Sequence, residues 1–198
     1  MADPARKRAT YADVLGAPED MVAQVLDGEL HLHPRPARRH LRAASALGGH
    51  LYGAFDAGHN GPGGWVVVFE PELHLGSEPD IVVPDIGAWR DERYPGDVDD
   101  DDAFYRVAPD WVAEVLSTST ARVDRVKKMP IYAREGVGHV WIVDPRDRTV
   151  EVFRLTGDAY VLAASWAGEE SPATLEPFAE VSIPPAAFWG KRRRGSAP

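Results

Sequence analysis

Pro109-Asp110-Trp111-Val112-Ala113-Glu114-Val115-Leu116-Ser117 is the stretch that decides the architecture of this chain. Read with a period of two, Trp111, Ala113 and Val115 fall on one side, and Asp110, Val112, Glu114 and Leu116 on the other. Apolar side chains on both sides describe a strand covered on both faces, the place of a central strand rather than an edge. Glu114 breaks that pattern. Taking a carboxylate out of water is costly unless it is paired, so Glu114 calls for a cationic side chain or a metal ion beside it. Upstream, Ile81-Val82-Val83-Pro84-Asp85-Ile86 carries a second carboxylate in a similar apolar setting, and downstream Lys128 stands in a helix-like segment.

The rest of the chain supplies the layers around this strand. Tyr11 to Leu15 reads as a short helix ending near Gly16. Met21–Leu26 and Glu29–His33 flank Asp27-Gly28, a two-residue hairpin signal. Leu41, Ala44, Leu47, Leu51 and Phe55 recur three or four apart, predicting an amphipathic helix over 37–55. Trp65–Phe69 predicts a strand that Glu72–Leu75 continues or follows with another. Ile81–Trp89 predicts one more, and residues 90–106 an acidic insertion. Ser117 to Thr120 offer N-caps for a helix to Glu135, kinked at Pro130 and ended by Gly136. Val140–Val143 and Thr149–Leu155 are strands joined by a turn at Asp144–Asp147, with short strand-like pieces beyond. The sum is a mixed α/β domain on one central sheet flanked by helices, with an N-terminal β-hairpin. Residues 1–10 are expected to be a flexible start, 11–189 the domain, and 190–198 a disordered basic tail.

With 198 residues, 44% of them hydrophobic, the chain suffices for one well-buried domain. No apolar run is long enough to span a membrane, and the first residues lack the apolar core of a secretory signal. The absence of cysteine excludes disulfides and thiolate metal sites and agrees with a cytoplasmic protein. A net charge of −9 argues against a protein that coats nucleic acid indiscriminately, while leaving room for a local basic patch. The run Asp99 to Asp102 reads as a solvated loop.

Each candidate has a plain structural alternative. Glu114 could be one half of a buried ion pair, Asp85 a turn residue after proline, and Lys128, like its neighbour Lys127, a solvated helix lysine. Asp80 is another Pro-Asp, one register earlier, and reads as a turn residue with the ligand role in place of Asp85 as its alternative; Asp110 reads as a cap or turn residue and Tyr132 as packing. Glu72, in Pro-Glu-Leu-His-Leu, stands near enough in sequence to edge the same site. His31, His33 and His40 lack a fourth ligand at zinc spacing. Ser117, His139 and Asp144 have no nucleophile-elbow context for a hydrolase triad.

The succession Val82-Val83-Pro84-Asp85-Ile86-Gly87-Ala88-Trp89-Arg90, then 109–120, then 124–145, then 149–155 resembles the Uma-two family of restriction endonucleases, within the PD-(D/E)xK nuclease superfamily. The resemblance runs from about Gly28 to about Leu155. It implies a restriction-endonuclease-like fold with metal ligands on adjacent strands. Asp85 matches the superfamily aspartate and Glu114 its second acid. The lysine usually stands two residues later, where this chain has Leu116; Lys128 matches the family's displaced position on the next helix. The main-chain carbonyl of Val115 is a further implied ligand, and Glu29 or His40 stands in for an acid on the first helix. The implied activity is metal-dependent cleavage of DNA with magnesium or manganese, by a homodimer. The implied chemistry is sound: a divalent cation between carboxylates reverses their repulsion of phosphate, and a lysine stabilises transition-state charge. A catalytically inactive DNA- or protein-binding module on the same fold is the alternative.

Overall fold

A computed structural model describes residues 7–96, 101–169 and 175–189. Most of the expected flexible start, the acidic residues 97–100 and the basic tail 190–198 lie outside the described residues. Residues 8 and 9 are tied down: the Ala9 N–H donates to the Gly28 carbonyl at 2.9 Å, and Arg8 pairs with Glu78.

The elements are α1 (Tyr11–Leu15), β1 (Met21–Leu26), β2 (Glu29–Pro34), α2 (Arg38–Leu51), β3 (Trp65–Phe69), β4 (Leu73–Leu75), β5 (Asp80–Val82) and β6 (Ile86–Arg90). They continue with β7 (Trp111–Val115), α3 (Ala121–Val123), α4 (Met129–Arg134), β8 (His139–Asp144), β9 (Thr149–Thr156), β10 (Ala159–Ala167) and α5 (Ala186–Trp189). A widened π turn at Tyr52–Asp56 prolongs α2, and another at Asp124–Lys128 joins α3 to α4.

The strand expected to be central lies third from the β3 edge of a six-stranded sheet ordered β10-β9-β8-β7-β6-β3. It pairs parallel with β8 and antiparallel with β6. Every residue from Trp111 to Val115 is buried, as a strand covered on both faces requires. One face packs Trp111, Ala113 and Val115 with Trp141, Val143 and Val150 against Leu47, Leu51 and Phe55 of the α2 arm and against Phe178 and Phe188. Phe178 sits among the rings of Phe55, Trp65, Trp111 and Trp141, with centroids 4.7 to 5.7 Å away. The other face sets Val112, Leu116, Val140 and Ile142 against Leu26, Leu73, Val82, Ile131 and Tyr132.

Three expectations are corrected. There are two sheets, not one: β2-β1-β5-β4 form a separate four-stranded antiparallel sheet packed on the second face. The single strand expected over 81–89 is therefore two, β5 in the small sheet and β6 in the large one. Pro84 stands at the break, where it has no N–H to give a ladder. The helix expected to run unbroken to a kink at Pro130 is instead α3, a π turn and α4, with Pro130 in the first turn of α4, where a missing N–H is tolerated. The third concerns the C-terminal region, where β10 is a nine-residue partner of β9 rather than scattered pieces; Gly157 at φ +64° makes the turn between them. The hairpin β1–β2 is as expected, with Asp27 and Gly28 both at positive φ (52° and 78°), the geometry of a type I′ turn.

The β8–β9 turn rests on Asp144. Its carboxylate accepts hydrogen bonds from the Arg146 guanidinium at 2.7 Å and from the main-chain N–H groups of Arg146 and Asp147 at 2.8 and 3.3 Å. Burial works to raise this carboxyl, but those donors outweigh it and hold it below its ordinary 3.8. A depressed carboxyl contributes stability that is present above the ordinary value and is lost as pH falls through the lower folded one. Asp144→Ala is expected to cost about 1–3 kcal/mol at neutral pH and to flatten the acid limb of stability below pH ~4. Urea titrations across pH check both; an unchanged acid limb would remove Asp144 from this role.

Candidate active site

Two segments cross side by side between the sheets. Glu70-Pro71-Glu72 leaves the large sheet at β3 for β4, and Val83-Pro84-Asp85 returns from β5 to β6. The Glu70 N–H donates to the Asp85 carbonyl at 3.1 Å, holding the two crossings together. Each carries a proline beside acids, so each interrupts pairing and turns a carboxylate into the space between the sheets. That space is a cleft of about 710 Å³ whose wall includes Glu70, Glu72, Asp85, Glu114, Asp124, Lys128, His33 and His40.

Asp85 is fixed from two sides. One oxygen accepts the Val115 N–H at 2.6 Å and the other lies 2.7 Å from His40 Nε2. Asp85 is thereby bonded to the residue next to Glu114. Burial pulls the His40 imidazole down, but the Asp85 carboxylate outweighs it and holds the ring above its ordinary range. His40 Nδ1 is buried without a hydrogen-bond partner.

Glu114, 1% exposed, is held by two donors: Lys128 Nζ at 3.0 Å and the Tyr132 hydroxyl at 2.6 Å. Lys128 Nζ also donates to the Val83 carbonyl at 3.1 Å. Asp124 Oδ1 lies 3.1 Å from the same ammonium, an ion-pair contact whose angle leaves that oxygen without a hydrogen bond. Asp124, Lys128 and Tyr132 are four apart, and the helical segment presents all three to Glu114. Burial pushes the Glu114 carboxyl up to about 8, against the pull of Lys128. Lys128 moves the other way: burial disfavours its charge, but Glu114, Asp124 and Asp85 together hold it above its ordinary value. We place the cationic charge on Lys128. One ammonium faces three carboxyl groups, Glu114, Asp124 and Asp85, and Glu114 lies wholly inside the protein.

The structure thus brings Asp85, Glu114, Lys128, Glu72 and His40 to one cleft. The Glu72 carboxylate accepts a hydrogen bond from His74 Nε2 at 2.8 Å. Val115 reaches the site through its N–H. Asp80 does not join them: it is buried in β5, bonded by Arg134 and by the Asp27 N–H at 2.6 Å, so it is a structural anchor and not a turn residue. Glu29 lies beside His31 on the outer strand β2, away from the cleft wall. Lys127 approaches Asp27 at 3.8 Å, which leaves Lys128 as the inward lysine. Glu70, Asp124 and the hydroxyl of Tyr132 went unread in the sequence, although the Asp-x3-Lys-x3-Tyr spacing was visible there.

A mixed six-stranded sheet with a parallel β7–β8 step, acids at its crossover and a helix-borne lysine defines a restriction-endonuclease-like α/β domain. The chain belongs to the Uma2 family, described as "Putative restriction endonuclease", whose profile matches residues 8–186. Among solved structures it is similar to one described as a "putative nuclease" from Anabaena variabilis ATCC 29413. That structure shares 20% identity and a TM-score of 0.72 over 91% of this chain and 97% of the other. A comparison with curated proteins found no match.

Proposed function

We propose that this protein is a metal-dependent endonuclease that hydrolyses phosphodiester bonds in DNA. One observation carries the reading: Asp85, from the crossover, is bonded to the main chain of the residue beside Glu114, while Lys128 contacts Glu114, so two acids and one ammonium converge on a single cleft. Magnesium or manganese needs only one or two carboxylates besides water and substrate oxygens. The donor set fits such an ion: it is all hard oxygen, and carboxyl groups outnumber cationic side chains in the cleft wall. Asp85 and Glu114, with the Val115 carbonyl, would hold the ion. When bound, it supplies Lewis-acid neutralisation of the phosphoryl oxygens. Lys128 keeps Glu114 oriented and holds positive charge where negative charge develops in the transition state. Tyr132 fixes the other Glu114 oxygen, and His40 fixes Asp85.

A second reading, a binding module that keeps the fold without catalysis, draws on a specific observation. Both Glu114 oxygens are already engaged, and among the described residues no group of three His, Cys, Asp or Glu is arranged to hold a metal. The readings separate in one assay: supercoiled DNA incubated with the protein and manganese, magnesium or chelator. The nuclease reading expects nicking with metal and none with chelator; binding without metal-dependent nicking selects the module. A homodimer, so that two sites address two strands, and a cytoplasmic location complete the proposal. No helix among the described residues is long and apolar enough to cross a membrane.

A further inference from the structure

We infer that Arg38, Arg39 and Arg42, on the first two turns of α2, form the surface that grips the DNA backbone beside the cleft. This rests on the nuclease reading above. All three side chains are exposed, and none has a hydrogen bond or ion pair with a described residue. Among the described residues Arg8, Arg93, Arg125, Arg134, Arg146, Arg148 and Arg154 each pair with a carboxylate, whereas Arg38, Arg39 and Arg42 form the one such cluster of neighbouring arginines that does not.

Their position works against the fold. The N-terminal end of a helix is positive, so acids belong there and cations are disfavoured. Yet α2 has no acid in its first turn, no side-chain cap on Ala37, and Arg38 stacked one turn below Arg42, a repulsive spacing. Local rules broken together at one place mark function rather than stability. The same turn carries His40, which is only 6% exposed, contacts Asp85 and leaves its Nδ1 unpartnered. Arg35, just before the helix, lines the cleft and donates to the Glu19 carbonyl at 3.3 Å. One rigid element of fourteen residues therefore connects the exposed arginines to the acid proposed to act on the phosphodiester. The charged groups lining the cleft are mostly acids, Glu19, Glu70, Glu72, Asp85, Glu114 and Asp124 against Arg35 and Lys128, so without a cation the cleft repels a polyanion and the flanking backbone needs a grip outside it. Guanidinium groups suit phosphate oxygens through paired donors. Such contacts position the duplex without reading its sequence.

The test is binding of a fluorescent DNA duplex to full-length protein in chelator, followed by anisotropy over a range of salt. The triple variant R38Q/R39Q/R42Q is compared with the parent and with R154Q, which removes a charge elsewhere. For each phosphate that the variant no longer neutralises, the slope of log affinity against log salt should fall by about 0.9, with roughly tenfold or greater weakening at low salt. R154Q should behave as the parent, and the triple variant should melt at or above the parental temperature. With metal, the triple variant should show a raised KM for nicking with kcat little changed. A triple variant with parental affinity and salt slope overturns the inference while the parent still nicks DNA and the nuclease reading stands. A parent that neither binds nor nicks DNA overturns both.

Discussion

Lys128→Met is expected to lower stability by about 3–5 kcal/mol, because it strands two buried carboxyl groups at once. Glu114 is deprived of its donor at 3.0 Å, and Asp124 of the ammonium that stands 3.1 Å from its carboxylate. Glu114→Gln should cost less, about 1–3 kcal/mol, since Lys128 keeps Asp124 and the Val83 carbonyl. The double variant Glu114→Gln/Lys128→Met should be more stable than the sum of the single losses implies, the mark of a coupled pair. Urea titration of the four proteins measures the coupling. Additive losses would mean that the two side chains act independently, and a single Lys128→Met loss under about 1 kcal/mol would contradict the buried ion cluster altogether.

Asp85→Ala is expected to abolish metal-dependent nicking, with a fall of roughly 10²–10⁴ in rate, the scale of several kcal/mol of lost charge stabilisation. Its effect on folding should be much smaller. The Asp85 side chain holds one main-chain N–H and one imidazole nitrogen at a cleft that water reaches, and water can replace it at both. Activity and stability therefore separate at Asp85 and fall together at Lys128. Nicking that survives Asp85→Ala at parental rate would remove this carboxylate from the proposed ligand set. A variant that fails to fold would instead mark Asp85 as the clasp between the two sheets, and Asp85→Asn, which keeps the hydrogen-bonding shape, would then carry the activity measurement.

The period-two reading of Trp111 to Val115 located a doubly covered strand without tertiary information, because burial on both faces leaves apolar residues at every position but one. The exception, Glu114, pointed to a partner for the same reason. The Asp27-Gly28 hairpin was equally legible, since only residues that accept positive φ make that turn. The break at Val83-Pro84-Asp85 was not: a proline in an apolar run reads as a strand interruption only when the second sheet is known to exist. Glu70 could not be connected with Asp85 at all, because their bond crosses between segments that share no periodicity.

What the sequence alone determined is the central strand, the hairpin, the amphipathic helix and the candidates Asp85, Glu114 and Lys128, all of which follow from local pattern, from the cost of burying charge or from family resemblance. What only the tertiary structure decided is their convergence. Which lysine turns inward, which Pro-Asp faces the cleft and which anchors Arg134, and where Tyr132 points its hydroxyl depend on two sheets packing face to face. Hydrophobic burial fixes that packing over the whole chain, and no local spacing encodes it.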